Sequence, residues 1–132
     1  MIEVALMAPS KQTDNKLRWE TDVDGVNFKL YIPKARVPYP WPKRILVRVC
    51  DIDQPSGNEA VQPDDPTLER GITATVRKVR EHTETVRFDP DGDPNDWEIG
   101  SPYIPFSLLP RRSAENLQLQ VWWDRSAGTW SN

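Results

Sequence analysis

Apolar and polar residues alternate along two neighbouring stretches near the start of the chain, residues 17–21 and 26–32. A two-residue period places the apolar side chains on one face of a β-strand and the polar side chains on the other. Between the stretches, residues 22–25 contain Asp-Gly, a pair that tolerates the positive φ angles of tight turns. The pattern therefore predicts a β-hairpin with one buried face. Its apolar positions are Leu17, Trp19, Phe28, Leu30 and Ile32.

The same reasoning predicts further short strands along the chain. They cover residues 2–7, 45–51, 72–79, 84–88, 97–99 and 117–124. The stretches 72–79 and 84–88 form a second hairpin around the turn at residues 80–83. In the last stretch, Leu117, Leu119, Val121 and Trp123 share one face, and Gln118, Gln120 and Trp122 share the other. Residues 65–71 are typical of one helical turn, with Asp65 as its N-cap and Gly71 as its terminator.

These elements predict an all-β, mostly antiparallel fold. Residues 1–132 are expected to form a single β-rich domain, because this length suits one domain and no long amphipathic helix is present. Thirteen prolines and six glycines also favour strands joined by stiff loops. We expect a small β-sandwich or a partly open β-barrel, with at most one or two short helical turns.

The stretch of residues 29–48 differs from the rest of the chain, because it carries six basic residues and no acidic residue. Prolines stand at positions 33, 38, 40 and 42, with Tyr39 and Trp41 between them. Alternating prolines favour extended, polyproline-II-like backbone, so residues 33–42 are predicted to form such a connection. Because proline lacks the N–H that a ladder needs, the connection is not expected to lie in a central strand.

This basic, aromatic and proline-rich connection is the candidate binding surface. Its predicted binding residues are Lys34, Arg36, Tyr39, Trp41, Lys43 and Arg44. We expect a non-catalytic domain that contacts a partner protein through them, with self-association as one form of that contact. Single-stranded nucleic acid is an alternative partner, because lysines and arginines bind phosphates and aromatic rings stack on bases. The connection also suits a plain crossover loop in which Tyr39 and Trp41 cap the core.

Two other features were considered as sites. Six tryptophans allow a carbohydrate-binding module if some of them are exposed. Trp122 and Trp130 are the candidates for exposure. The acidic loop 89–98 places Asp89, Asp91 and Asp93 at alternating positions, so these are weak candidates for a Ca²⁺ site. The loop lacks the glycine and the glutamate that an EF-hand requires, and no metal site is expected.

Catalytic chemistry has little support in the sequence. His82 is the only histidine and Cys50 the only cysteine, so histidine-and-cysteine zinc sites have too few ligands. Cys50 also stands beside Asp51, which disfavours the thiolate that a nucleophile needs. We therefore expect no catalytic residue and no cofactor, and an enzyme is not the preferred interpretation.

The charge distribution adds a constraint on partners. Residues 1–50 carry nine basic and five acidic residues, a balance of +4, whereas residues 51–132 carry eight and fifteen, a balance of −7. Opposite charges in the two halves predict that some basic residues pair within the protein. The single cysteine fits a reducing compartment, and residues 1–9 lack the basic start of a signal peptide. A cytoplasmic location and no membrane partner are expected.

Overall fold

A computed structural model of the chain describes residues 2–54 and 63–130, except for the side chains of residues 8–12. The strands are β1 (Ile2–Gln12), β2 (Lys16–Val23), β3 (Val26–Pro33), β4 (Trp41–Asp51), β5 (Leu68–Glu81), β6 (Thr85–Pro90), β7 (Tyr103–Pro105) and β8 (Asn116–Trp130). The helical elements of the described residues are 3₁₀ turns at Lys34–Arg36, Pro94–Asp96 and Phe106–Leu108.

All eight strands belong to one antiparallel sheet with the order β3-β2-β1-β4-β8-β5-β6-β7. Its two end strands come close together, because the Gly100 N–H, just before β7, donates to the Tyr31 carbonyl of β3 at 2.8 Å. The sheet is therefore nearly closed into a barrel, as the expected all-β, antiparallel fold allowed. Within the described ranges, no helix has the length and apolar character needed to cross a membrane.

Both predicted hairpins are confirmed. In the first, β2 and β3 pair from Lys16 opposite Pro33 to Val23 opposite Val26. Its turn residues, Asp24 and Gly25, have φ angles of 50° and 83°, the left-handed values that a two-residue type I′ turn requires. In the second, β5 pairs with β6 and is longer than the sequence predicted, with a bulge between Lys78 and Arg80.

The barrel interior contains the predicted apolar faces. Trp19 and Phe28 from the first hairpin are fully buried, as are Leu117 and Leu119 of β8. The indoles of Trp19 and Trp123 lie 6.4 Å apart between ring centroids. Beside them stands Gly71, where a Cβ atom would lie 2.6 Å from Nε1 and 2.7 Å from Cζ2 of Trp123. Because Gly71 has no side chain, the large Trp123 ring can pack against its backbone.

The strand β8 lies between β4 and β5, which are both antiparallel to it and therefore run parallel to each other. It extends beyond its predicted end at residue 124, because Trp130 pairs with Trp41 and Thr129 with Pro42. Both neighbours of the central strand β8 therefore come before it along the chain.

The prediction of polyproline-II-like backbone for residues 33–42 is wrong. Pro33 ends β3, Lys34–Arg36 forms a 3₁₀ turn, and the Tyr39–Pro40 peptide bond is cis. Pro42 lies in β4, a strand with neighbours on both sides. The ladder tolerates Pro42 because the register with β8 shifts between Pro42 and Arg44, and a bulge does not need every N–H.

Two smaller expectations also fail. Residues 65–71 form a β-turn instead of a helical turn: Asp65 accepts from the Thr67 N–H at 2.8 Å as a cap would, but β5 begins at Leu68. Residues 97–99 are not a strand. The seventh strand is instead Tyr103–Pro105, which pairs with β6 through Ile104 opposite Val86.

Replacement of Gly71 by alanine is expected to destabilise the fold by roughly 1–3 kcal/mol, because the added methyl group overlaps the Trp123 ring. Urea unfolding followed by tryptophan fluorescence measures the change. Gly100→Ala is the matched control, since its Cβ would meet Tyr31 at 3.4 Å or more, which is close to ordinary contact. Equal stability losses in the two variants would contradict the packing assigned to Gly71.

Candidate functional site

The connection between β3 and β4 ends in a stack of aromatic rings at one end of the barrel. Trp41 and Trp130, which face each other across β4 and β8, have ring centroids 4.5 Å apart. Tyr39 approaches Trp41 edge-on, with centroids 5.5 Å apart and an interplanar angle of 89°. The Lys34 ammonium lies 5.5 Å from the centroid of the Trp41 ring. The structure thus brings Lys34, Tyr39 and Trp41 together.

Tyr39 is the outermost member of this stack. Its side chain is 68% exposed, whereas Trp41 is only 8% exposed. The exposed phenol therefore rests on a buried indole that is itself held by Trp130. A large, partly apolar side chain fixed in this way is costly to leave in water and well suited to contact a partner.

Three of the predicted basic residues accompany Tyr39. Arg36 and Lys43 are exposed and Lys34 is half-buried. Within residues 2–54 and 63–130, none of the three forms an ion pair with an acidic side chain. We call Lys34, Arg36, Tyr39 and Lys43 the Tyr39 surface. It carries three positive charges that are available to a partner.

Arg44 has a different role from the other predicted binding residues. Its Nε lies 2.6 Å from the Asp124 carboxylate, and its Nη2 donates to Ser126 at 3.1 Å. Burial raises the pKa of Asp124, but the hydrogen bonds from Ser126 and Arg44 outweigh that effect and leave the pKa below its ordinary value. Arg44 therefore neutralises a buried carboxylate from the acidic part of the chain, and we remove it from the candidate site.

Trp122 and Arg48 lie on the outer face of the sheet but are buried. Trp122 is 2% exposed and Arg48 is 4% exposed. The guanidinium carbons of Arg48 and Arg70 lie 5.6 Å and 5.8 Å from the Trp122 ring centroid. Arg48 also lies 3.3 Å from Glu3. Trp122 is thus enclosed between two cations and presents no open ring face.

The three candidate Ca²⁺ ligands have separate partners. Asp89 accepts from Arg87 at 3.0 Å and from Ser101 at 2.7 Å. Asp93 accepts from the Asn95 N–H at 2.9 Å and so caps the 3₁₀ turn Pro94–Asp96. Asp91 lies 3.9 Å from Arg77. Among the described residues, no group of three or more His, Cys, Asp or Glu side chains is arranged to hold a metal ion.

Cys50 and His82 are also placed by the structure. Cys50 is fully buried, as expected for an inert thiol. The His82 ring lies 5.4 Å from the Tyr103 ring, and its backbone N–H donates to the Thr85 carbonyl to close the turn of the second hairpin. Cys50 thus lies in the core, and His82 lies in the turn of the second hairpin.

The ends of β4 and β8 opposite the Tyr39 surface are joined by a second buried carboxylate. Asp51 is 6% exposed and accepts from Arg111 at 2.8 Å and from the Asp53 N–H at 3.0 Å. The hydrogen bond from Arg111 holds the pKa of Asp51 below its ordinary value, against the opposing effect of burial. These contacts fasten the segment that precedes β8 to the end of β4.

A groove of about 730 Å³ lies where β3 and β7 approach each other, and no pattern in the sequence predicts it. Lys29 and Tyr31 come from the outer face of β3, Lys16 and Asn15 from the start of β2, and Ser101 and Tyr103 from the segment at β7. None of its described lining residues is acidic. Alternation along residues 27–31 places Lys29 and Tyr31 on one face, but only the near-closure of the sheet brings Tyr103 to them. We call this the seam groove.

Comparison with known proteins finds no family model that matches the chain, and no significant match among curated proteins or solved structures.

Asp124→Asn is expected to lower the free energy of unfolding by roughly 1–3 kcal/mol at neutral pH, because Arg44 loses its buried anionic partner. A carboxyl with a depressed pKa stabilises the fold fully above its ordinary pKa of about 3.9 and loses this effect as the pH falls through the lower folded value. The difference between wild type and variant should therefore shrink as the pH falls below about 3.9. Urea unfolding at neutral pH and in acid measures it.

Asp14→Asn is the control for that comparison, because Asp14 is exposed in a turn. Its effect at neutral pH should stay below about 0.5 kcal/mol. A wild type–Asp124→Asn difference that persists unchanged in acid would show that the side-chain amide perturbs packing instead of removing a charge.

Proposed function

We propose that this protein is a non-catalytic binding domain that contacts an acidic surface of a partner protein through the Tyr39 surface. The observation that carries the proposal is the position of Tyr39, which is 68% exposed yet fixed edge-on against the buried Trp41. A side chain that is already ordered loses little conformational entropy on binding, so its contact area contributes more of its free energy to affinity. Tyrosine is also among the residues that most often anchor protein interfaces.

Charge around Tyr39 supports an acidic partner. Lys34, Arg36 and Lys43 lie within five residues of Tyr39 in the chain and form no ion pair among the described residues, whereas Arg44 is neutralised by Asp124. Exposed charges of one sign around an aromatic anchor accelerate encounter with a surface of the opposite sign and disfavour like-charged partners. The overall charge of the chain is −3, so this surface is opposite in sign to the net charge of the chain.

Single-stranded nucleic acid is a weaker alternative for the same surface. Base stacking needs an open ring face, and the Trp41 ring is 8% exposed, with Lys34 over it and Trp130 against it. That leaves Tyr39 as the one ring of the stack with substantial exposure. Carbohydrate binding also needs an exposed ring face, and none of the six tryptophans is exposed: Trp97 and Trp130 are half-buried and the others are buried.

The proposal is tested with two labelled anionic probes of similar length and charge, oligo-glutamate and oligothymidylate, followed by fluorescence anisotropy at low and high salt. We expect oligo-glutamate to bind at low salt. Tyr39→Ala should raise its Kd roughly five- to tenfold, and Arg36→Glu combined with Lys43→Glu should abolish binding. Arg80→Glu, which reverses one exposed charge on the second hairpin, is the control and should change the Kd little.

The outcomes separate the candidate partners. Tighter binding of oligothymidylate, with the same dependence on Tyr39, would replace the proposal with nucleic-acid binding. No binding of oligo-glutamate at low salt would overturn it. Sedimentation velocity at rising protein concentration adds one arm: association that Tyr39→Ala removes would identify the partner as a second copy of this chain.

A further inference from the structure

The seam groove is built from three separate parts of the chain that the near-closure of the sheet brings together. One wall is the outer face of β3, where Lys29 and Tyr31 are two residues apart and their side chains therefore stand about 7 Å from each other. The opposite wall is Tyr103 of β7, which is 44% exposed. The floor includes Gly100, whose N–H donates to the Tyr31 carbonyl at 2.8 Å. The groove therefore lies directly over the bond that joins the two edges of the sheet.

Most polar atoms around the groove are occupied in holding its walls. The Thr13 hydroxyl accepts from the Lys16 N–H at 3.0 Å and fixes the turn before β2. The Ser101 hydroxyl donates to Asp89 at 2.7 Å. The Asn27 amide donates to Asp22 at 3.3 Å. These bonds make the walls rigid, but they leave few of the lining groups free to bind a ligand.

The groups that stay available are cationic. Lys16 and Lys29 are both exposed, and neither forms an ion pair within residues 2–54 and 63–130. The acid that stands opposite Lys29 in the hairpin register is Glu20, and it is engaged with Arg18 at 2.9 Å. Two ammonium groups beside a groove with no acidic lining residue favour an anion.

The aromatic rings define the second requirement. Tyr31 is held in place by Arg18, whose guanidinium carbon lies 5.9 Å from its ring centroid and whose Nη1 donates to its hydroxyl at 3.2 Å. Tyr103 is supported from behind by the His82 ring at 5.4 Å. Two ordered phenol rings on opposite walls offer flat apolar contact to a planar ligand.

We infer that the seam groove binds a small planar aromatic ligand that carries an anionic group, with the ring between Tyr31 and Tyr103 and the anion at Lys29. A volume of about 730 Å³ is in the range of small-molecule sites and suits a ligand of nucleotide size. This site lies on different strands from the Tyr39 surface and does not depend on the function proposed for it.

The test is a ¹H–¹⁵N NMR titration of the whole chain with three probes: adenosine 5′-monophosphate, adenosine and ribose 5-phosphate. The first combines ring and charge, the second has only the ring and the third only the charge. We expect saturable shifts with adenosine 5′-monophosphate at the amides of Lys29, Tyr31 and Gly100. The other two probes should each bind at least about tenfold more weakly, because each lacks one of the two contacts.

Variants assign the two contacts separately. Lys29→Met should weaken adenosine 5′-monophosphate binding about fivefold at low salt and leave adenosine binding unchanged. Tyr103→Ala should weaken both adenosine 5′-monophosphate and adenosine. Lys78→Met, which removes a lysine outside the groove, is the charge-matched control and should have no effect.

Three results would overturn the inference. The first is the absence of saturable shifts up to about 10 mM adenosine 5′-monophosphate, which is weaker than any useful site. The second is equal binding of ribose 5-phosphate, which would reduce the groove to a phosphate site without ring recognition. The third is a set of shifts that maps to Lys34 and Tyr39, which would assign the ligand to the Tyr39 surface instead.

Discussion

The pairing of β4 with β8 is the interaction on which the rest of the sheet depends. The two strands run together from Trp41 opposite Trp130 to Asp51 opposite Leu117. The hairpin of β2 and β3 reaches this pair through β1, and β6 and β7 reach it through β5. The inward side chains of the pair include Val47, Val49, Leu119 and Val121, which are buried to within a percent. Without this pair, no strand ladder links the group β1–β3 to the group β5–β7.

The same pairing also positions charged side chains that form ion pairs within the protein. Near one end it holds Arg44 against Asp124, and at the other end the Asp51 carboxylate accepts from Arg111. Both carboxylates are buried and both have a cation within hydrogen-bond distance, which is the condition under which a buried charge is tolerated. The positive charges that remain for partners lie at Lys43 near the start of β4, in the connection before β4 and at the seam groove.

Local alternation was sufficient to predict the strands that bury one face. Trp19 and Phe28 follow a strict two-residue period, and both are fully buried in the hairpin that the period predicts. The seventh strand was missed because Tyr103–Pro105 has only three residues, too few for any period to be visible, and the last is a proline. Pro42 was misplaced because a bulge, which depends on the partner strand, admits a proline that the sequence alone excludes.

Local sequence patterns also could not predict which basic side chains are free to bind a partner. Arg36 and Arg44 are alike in the sequence, since both are basic residues close to proline-rich chain. They differ in the structure because Asp124, eighty residues further along, meets Arg44 and not Arg36. The seam groove could not be predicted for a similar reason: Lys29 and Tyr103 are remote in sequence, and only the near-closure of the sheet makes them neighbours. Local patterns give faces, whereas non-local pairing decides which faces meet.

The central position of β8 has a consequence for the order in which the protein assembles during synthesis. β4 and β5 leave the ribosome before β8, so their facing edges both wait, with unpaired N–H and C=O groups, for a strand that has not yet been made. Unpaired edges are templates for association between chains, and contacts between residues distant in sequence slow folding. The nascent chain therefore passes through an interval in which β4 and β5 are open to each other and to neighbouring chains, and the synthesis of β8 ends that interval.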